Sequence, residues 1–334
     1  MTEIAACRRA QSRRAWAVGG ALLLALACTV VWRVTLGEWD IPLPRVLYLL
    51  SPRLPETEAS LPEALVIRSV RLPRLFAALG TGGLLSVSGA LLQGILANPL
   101  AEPYTLGIAA GAAFGGALGL LLGTAAVIPA AFAGAVGALC LVGLIAWRAG
   151  GGQLVLAGIV ANAVLSAGVT FVKAVADDKL GAIVLWMMGS FSGAGASGGA
   201  AVWGATVLVL ASGLFCAPML DAMSLGSGRG AMLGVNEGRL RCLLLLAASL
   251  GAAASVSFFG IIGFVGLVVP HLLRLAVGPA HRPLILLSFL AGGCLLAAAD
   301  GVAQALGELP VGVLTALIGG PFFCWLLIRR GRRS

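Results

Sequence analysis

Asp300 lies within the apolar run 283–306 and is the acidic side chain set clearly inside such a run. A carboxylate in hydrocarbon can relay protons, or it can be held by a cation such as Arg71 or Arg74 or by a helix terminus, and its position toward one end of the run favours pairing. Gly158, Asn162, Ser166 and Thr170 are four apart, which puts an amide and two hydroxyls on one stripe of an otherwise apolar helix. An amide without partners in hydrocarbon costs several kcal/mol, so Asn162 either bonds a neighbouring helix or lines a wet path. Arg71-Leu-Pro-Arg74 opens a stretch that carries no further charge until Glu102 and that contains Gln93 and Asn98-Pro99-Leu-Ala101. His271 follows Pro270, which removes a helical hydrogen bond and favours a bend there. A lone His beside such a kink is a hydrogen-bonding residue more often than a metal ligand.

None of these groups forms a catalytic set. The chain has no Gly-x-x-x-x-Gly-Lys-Ser/Thr phosphate loop, no His-Glu-x-x-His helix and no paired intramembrane carboxylates, and its lysines are Lys173 and Lys179 alone. Enzymatic activity, a bound cofactor and a metal site are therefore not expected. The seven cysteines are scattered singly, without metal-ligand spacing.

The elements that must hold these residues follow from composition. Of 334 residues, 60% are hydrophobic and only 10% charged, which leaves no soluble surface and places the chain in lipid. With about 20 apolar residues needed per crossing, the sequence accommodates about ten transmembrane helices. The fold class is all-α and polytopic. The expected spans are 15–36, 72–92, 104–122, 127–147, 153–172, 200–220, 240–259, 261–277, 283–306 and 311–328, in one polytopic domain, 1–334. An even count puts both termini on one side, and the arginines of segments 1–14 and 329–334 make that side cytoplasmic. The net charge of +9 is thus topogenic and gives no reason to expect nucleic acid as a partner. Segment 37–70, with five prolines and with Glu56, Glu58 and Glu63 among its acidic residues, reads as a short external loop or surface helix.

Gly107, Gly111, Gly115, Gly119 and Gly123 form a ridge of four-residue spacing, suited to close helix packing in lipid, and Gly82, Ser86, Ala90 and Gly94 repeat the device. The cytoplasmic loop 221–240 carries Met223, Ser224, Leu225, Gly226, Leu233, Gly234 and Val235. Apolar residues on a wet loop point to contact with another protein, against the plainer reading of a solvated connection.

Together, Arg71-Leu-Pro-Arg74, Gln93, Asn98-Pro-Leu-Ala101, Leu156-Ala-Gly158, Ser224-Leu-Gly226, Leu233-Gly-Val235, Gly263-Phe-Val-Gly-Leu-Val-Val-Pro-His271, Ala299-Asp300 and Glu308-Leu-Pro-Val-Gly312 resemble the FecCD-type ABC importer permease family. The likeness covers nearly the whole chain after the first span. It implies a cobalamin-permease-like fold of ten helices per subunit, a homodimer in a bacterial inner membrane, two copies of a separate cytoplasmic ATPase that uses ATP, and one external binding protein. It implies a ferric siderophore as cargo, with cobalamin, haem or an oxyanion as alternatives; against it stands the rival class of an ion-coupled secondary transporter with Asp300 as the coupling carboxylate. By resemblance, Arg71 and Arg74 face the binding protein, Met223 to Val235 enter the ATPase cleft, and Asn162, Ser166 and Thr170 line the path. Gln93, Asn98, Pro99, Pro270, His271 and Asp300 fall to structural or gating roles. The sequence departs from the family at Ser227-Gly-Arg-Gly230, where glycine weakens a helix, and at Gln304, where the family often has an arginine.

Overall fold

The chain is described here by a computed structural model covering residues 2–37, 39–51, 55–59, 61–149, 153–226 and 229–331. Ten helices carry the architecture: α1 Thr2–Thr35, α2 Leu72–Ile95, α3 Ile108–Leu122, α4 Val127–Ala149, α5 Leu154–Ala174, α6 Ala196–Met223, α7 Glu237–Phe259, α8 Val265–Val277, α9 His281–Ala305 and α10 Val311–Gly331. Among the described residues, seven helices are long and apolar enough to cross a membrane; α3, α8 and the apolar part of α10 are shorter. Each overlaps one span expected from the sequence.

Three differences have local causes. The eighth helix starts at Val265 instead of Ile261, because Gly260 (φ +72°) ends α7 and Phe264 (φ +67°) sits left-handed just before α8. A short helix, Leu180–Met187, falls between α5 and α6; at eight residues it is too short to span and gave no span-length signal. The segment 37–70 is largely helical, with turns at Leu43–Leu49, Glu56–Ala59 and Pro62–Leu65, and a widened π turn, Val66–Arg71, that runs into α2. Pro73 cannot donate to the carbonyl four residues back and crowds it, and the widened turn relieves that clash. Arg45 ties this segment together by bonding Glu63 (2.9 Å) and Glu58 (3.3 Å).

α2 is the centre of the bundle, packed against α6, α7, α8 and α9 and buried along most of its length. Lipid tails are as apolar as leucine, so this arrangement depends on close backbone approach instead of removal of surface from water. At Gly89 a Cβ would collide with the carbonyl oxygen of Gly266 on α8. That carbonyl is the one Pro270 leaves without its helical donor, so the glycine on α2 and the proline on α8 accommodate one another. Gly82 makes the same contact with Gly292 of α9, while Gly111 and Gly115 of the expected ridge meet Gly134 and Ala130 of α4.

Asp221 near the end of α6 meets His281 at the start of α9, so the start of α9 lies at one end of the bundle. That end also holds the α6–α7 connection. The opposite end holds segment 37–71 and the α9–α10 turn.

Candidate functional site

The polar stripe of α5 opens onto a cavity of about 350 Å³. Asn162, Ser166 and Thr170 line it with Lys173, opposite Ala109, Ala110 and Ala113 of α3, and Met187 and Ile261 close one end. Asn162 does both things its chemistry allowed: its Nδ2 donates to the Tyr104 carbonyl (3.4 Å) while the residue lines the cavity. Thr170 donates back to the Ser166 carbonyl (3.0 Å), a local bond that leaves its methyl and the Ser166 hydroxyl toward the open space.

At the end that carries segment 37–71, a charge cluster joins α1, α2, α9 and the α9–α10 turn. Asp300, 1% exposed, accepts from Arg33 Nη2 (2.6 Å), Arg74 Nε (2.8 Å) and Arg74 Nη2 (3.0 Å). Arg74 Nη1 also reaches both oxygens of Glu308 (2.9 and 2.8 Å), and Arg33 Nη1 donates to Gln304 Oε1 (2.6 Å). Two guanidiniums and two carboxylates balance, which is the condition for holding ions in a dry interior. Arg71 donates to the carbonyls of Val34 (2.7 Å), Thr35 (3.1 Å) and Trp39, closing off the C-terminal carbonyls of α1.

Arg71 and Arg74, expected to face a binding protein, turn their guanidiniums inward. They are 7% and 4% exposed, and their guanidiniums are committed to groups inside the chain, so a partner's carboxylate would have to displace Asp300, Glu308 or backbone carbonyls. The pairing expected of Asp300 with Arg74 is present, with Arg33 as a second partner. Gln304 is the acceptor that occupies Arg33.

At the other end, α6 runs to Met223 and α7 starts at Glu237, capped by Asn236, whose side chain accepts from the Arg239 N–H (3.0 Å). The connection expected over 221–240 is thus narrower, and it contains a four-residue helix, Arg229–Met232. Ser227 and Gly228 lie outside the described residues. Met232 (89%), Leu233 (64%) and Leu225 (56%) are exposed, whereas Met223 and Val235 pack on the core; Ser224, Gly226 and Gly234 are exposed connectors. Two residues before Met223, Asp221 Oδ1 accepts the backbone N–H of His281 (2.9 Å) and contacts His281 Nδ1 (2.7 Å). His281 is therefore the first residue of α9 and not a loop residue, and a carboxylate at the helix N-terminus suits the helix dipole.

The remaining expected positions are structural contacts. Gln93 Nε2 donates to the Leu267 carbonyl (3.3 Å), Asn98 Oδ1 accepts from the Leu100 N–H (3.0 Å), and Pro99 packs near Leu267 and His271. Pro270 and His271 are buried in α8. In the same turn as Asn98, burial pushes the Glu102 carboxyl up to about 7.

The model of the FecCD transport family matches residues 22–329. The chain belongs to the FecCD transport family. Among its relatives, it is 41% identical over 286 residues to the hemin transport system permease protein HmuU of Yersinia pestis, covering 78% of this chain and 83% of that protein. It is 36% identical over 323 residues to the Fe(3+) dicitrate transport system permease protein FecD of Escherichia coli, covering 94% and 96%. A solved metal-chelate-type ABC transporter in an inward-facing conformation superposes with a TM-score of 0.81 at 32% identity, over 92% of this chain and 98% of the other. This FecCD chain is thus a membrane-spanning transport permease, as its relatives are.

Arg33, Lys173 and the Asp221–His281 pair were missed as site residues by sequence reasoning. Arg33 had one available signal, a guanidinium near the end of an apolar run. Lys173 had another: it stands three residues after Thr170, on the same helical face.

Proposed function

We propose that this chain forms, as a homodimer with two cytoplasmic ATPase subunits and an external binding protein, an importer that moves a metal chelate into the cytoplasm, with a ferric siderophore as the cargo. The α6–α7 connection then faces the cytoplasm and the charge cluster faces outside. What most supports the reading is the exposed apolar group Leu225, Met232 and Leu233 at the end opposite the charge cluster, a surface that needs a protein partner.

Mechanistically, ATP closes the partner ATPase dimer and displaces the 223–235 connection. The displacement passes up α6 and, through Asp221 and His281, into α9, which packs along the central α2. The wall formed by α5 and α3 then opens alternately to each side, an equilibrium between two conformations biased by nucleotide. The permease contributes a shaped path with weak polar contacts, so a large chelate is not trapped on its way.

The test uses two variants of the full complex. Replacing Met232 and Leu233 by Asp should abolish recovery of the ATPase with the permease. Ser166→Trp should keep the ATPase bound and stop uptake. Loop variants that still bind ATPase and transport at the parent rate would overturn the reading.

A further inference from the structure

The geometry points to an anionic chelate as the cargo, selected by Lys173. This deepens the importer reading and rests on it. Of the ten residues lining the α5 cavity, Lys173 alone is charged. Its ammonium has no ion pair or hydrogen bond among the described residues, in contrast to the chain's other lysine, since Lys179 donates to the Leu121 carbonyl (2.9 Å). The guanidiniums of Arg33 and Arg74 are likewise held by Asp300, and that of Arg71 by carbonyls. Asp177 and Asp178 follow α5 and are not part of the cavity wall.

Lys173 therefore stands as a lone cation at one end of a row of polar groups on one helix face. The Ser166 hydroxyl and the Asn162 amide continue that row over 162–173, a rise of about 16 Å at 1.5 Å per residue. Ammonium, hydroxyl and amide all donate, so the row suits a chelate whose surface carries carboxylate or phenolate oxygens. A neutral chelate gains nothing from the ammonium. Lysine also suits transit better than arginine: it is a point charge on a flexible stem without the bidentate fork that would hold a carboxylate in place. The two-fold partner of a homodimer would bring a second Lys173 to the same path.

The test measures chelate binding to the full permease–ATPase complex in nanodiscs, without the binding protein so that its own selectivity does not intrude. The probes are a trianionic ferric tris-catecholate and a neutral ferric trihydroxamate. The parent should bind the anionic chelate roughly tenfold or more tighter, Lys173→Gln should remove that preference, and Lys173→Arg should keep it, as expected for a charge contact in a partly solvated site. Raised salt should weaken anion binding by the parent and leave Lys173→Gln unmoved. Equal binding of the two probes, or a preference that survives Lys173→Gln, would overturn the inference. ATP-driven uptake into proteoliposomes, measured in parallel with the binding protein present, separates the two readings. Uptake of a neutral chelate that ignores Lys173→Gln sinks only the anion selectivity, whereas no ATP-driven uptake of either chelate sinks the importer reading and this inference with it.

Discussion

Replacing Asp300 with Asn keeps the side-chain shape and removes one negative charge from the centre of the cluster. Three charge-assisted hydrogen bonds converge on this carboxylate, at 2.6, 2.8 and 3.0 Å. After the change, Arg33 and Arg74 are left as two buried cations facing one carboxylate, Glu308, whose side chain is 43% exposed. Removing one partner of a buried ion pair destabilises by about 3–5 kcal/mol, chiefly through the charge left behind. A denaturant titration of the purified protein, in a fixed detergent or lipid mixture, should show a loss of that size. The second variant, Arg33→Gln with Asp300→Asn, restores neutrality by leaving Arg74 to Glu308. It should be less destabilised than the sum of its parts by at least about 1 kcal/mol. Stability of Asp300→Asn within about 0.5 kcal/mol of the parent, or simple additivity in the cycle, would refute the reasoning. The ion-coupled alternative makes the opposite forecast, with transport lost and stability kept.

Two further changes probe the frame and its pH response. Gly89→Ala puts a methyl on the Gly266 carbonyl and should destabilise by about 1–3 kcal/mol or more, measured by the same titration; a neutral result would mean that α2 and α8 are not in contact there. The Glu102 carboxyl is pushed up to about 7 by burial, well above the ordinary range near 4.5, so the folded state binds this proton more tightly than the unfolded state. Its contribution is fully present below the unfolded value and is lost as pH climbs through about 7; Glu102→Gln should flatten that decline in a stability–pH profile. An unchanged slope in the Gln variant would assign the decline to other groups.

Much of the frame was legible because lipid imposes simple rules: a crossing needs an apolar run of fixed length, and small residues mark where helices touch. The close-packing ridge that includes Gly111 and the α5 stripe followed from four-residue spacing, whereas the partner, Gly134, did not. The helix Leu180–Met187 did not, since eight apolar residues next to longer runs carry no distinguishing period. The inward bonding of Arg71 and Arg74 was hidden for a related reason. Two arginines at a helix mouth look like surface charge, and nothing local reveals that Asp300 and Glu308, more than 220 positions away, return to meet Arg74. Asp221 and His281 are sixty positions apart and pair only because α6 ends beside the start of α9.

The most direct test of the account is uptake into proteoliposomes that hold this chain with its ATPase, with the binding protein and a ferric chelate outside. The account predicts accumulation that requires both ATP and the binding protein and ignores an imposed ion gradient. Accumulation without ATP that follows the gradient would contradict it.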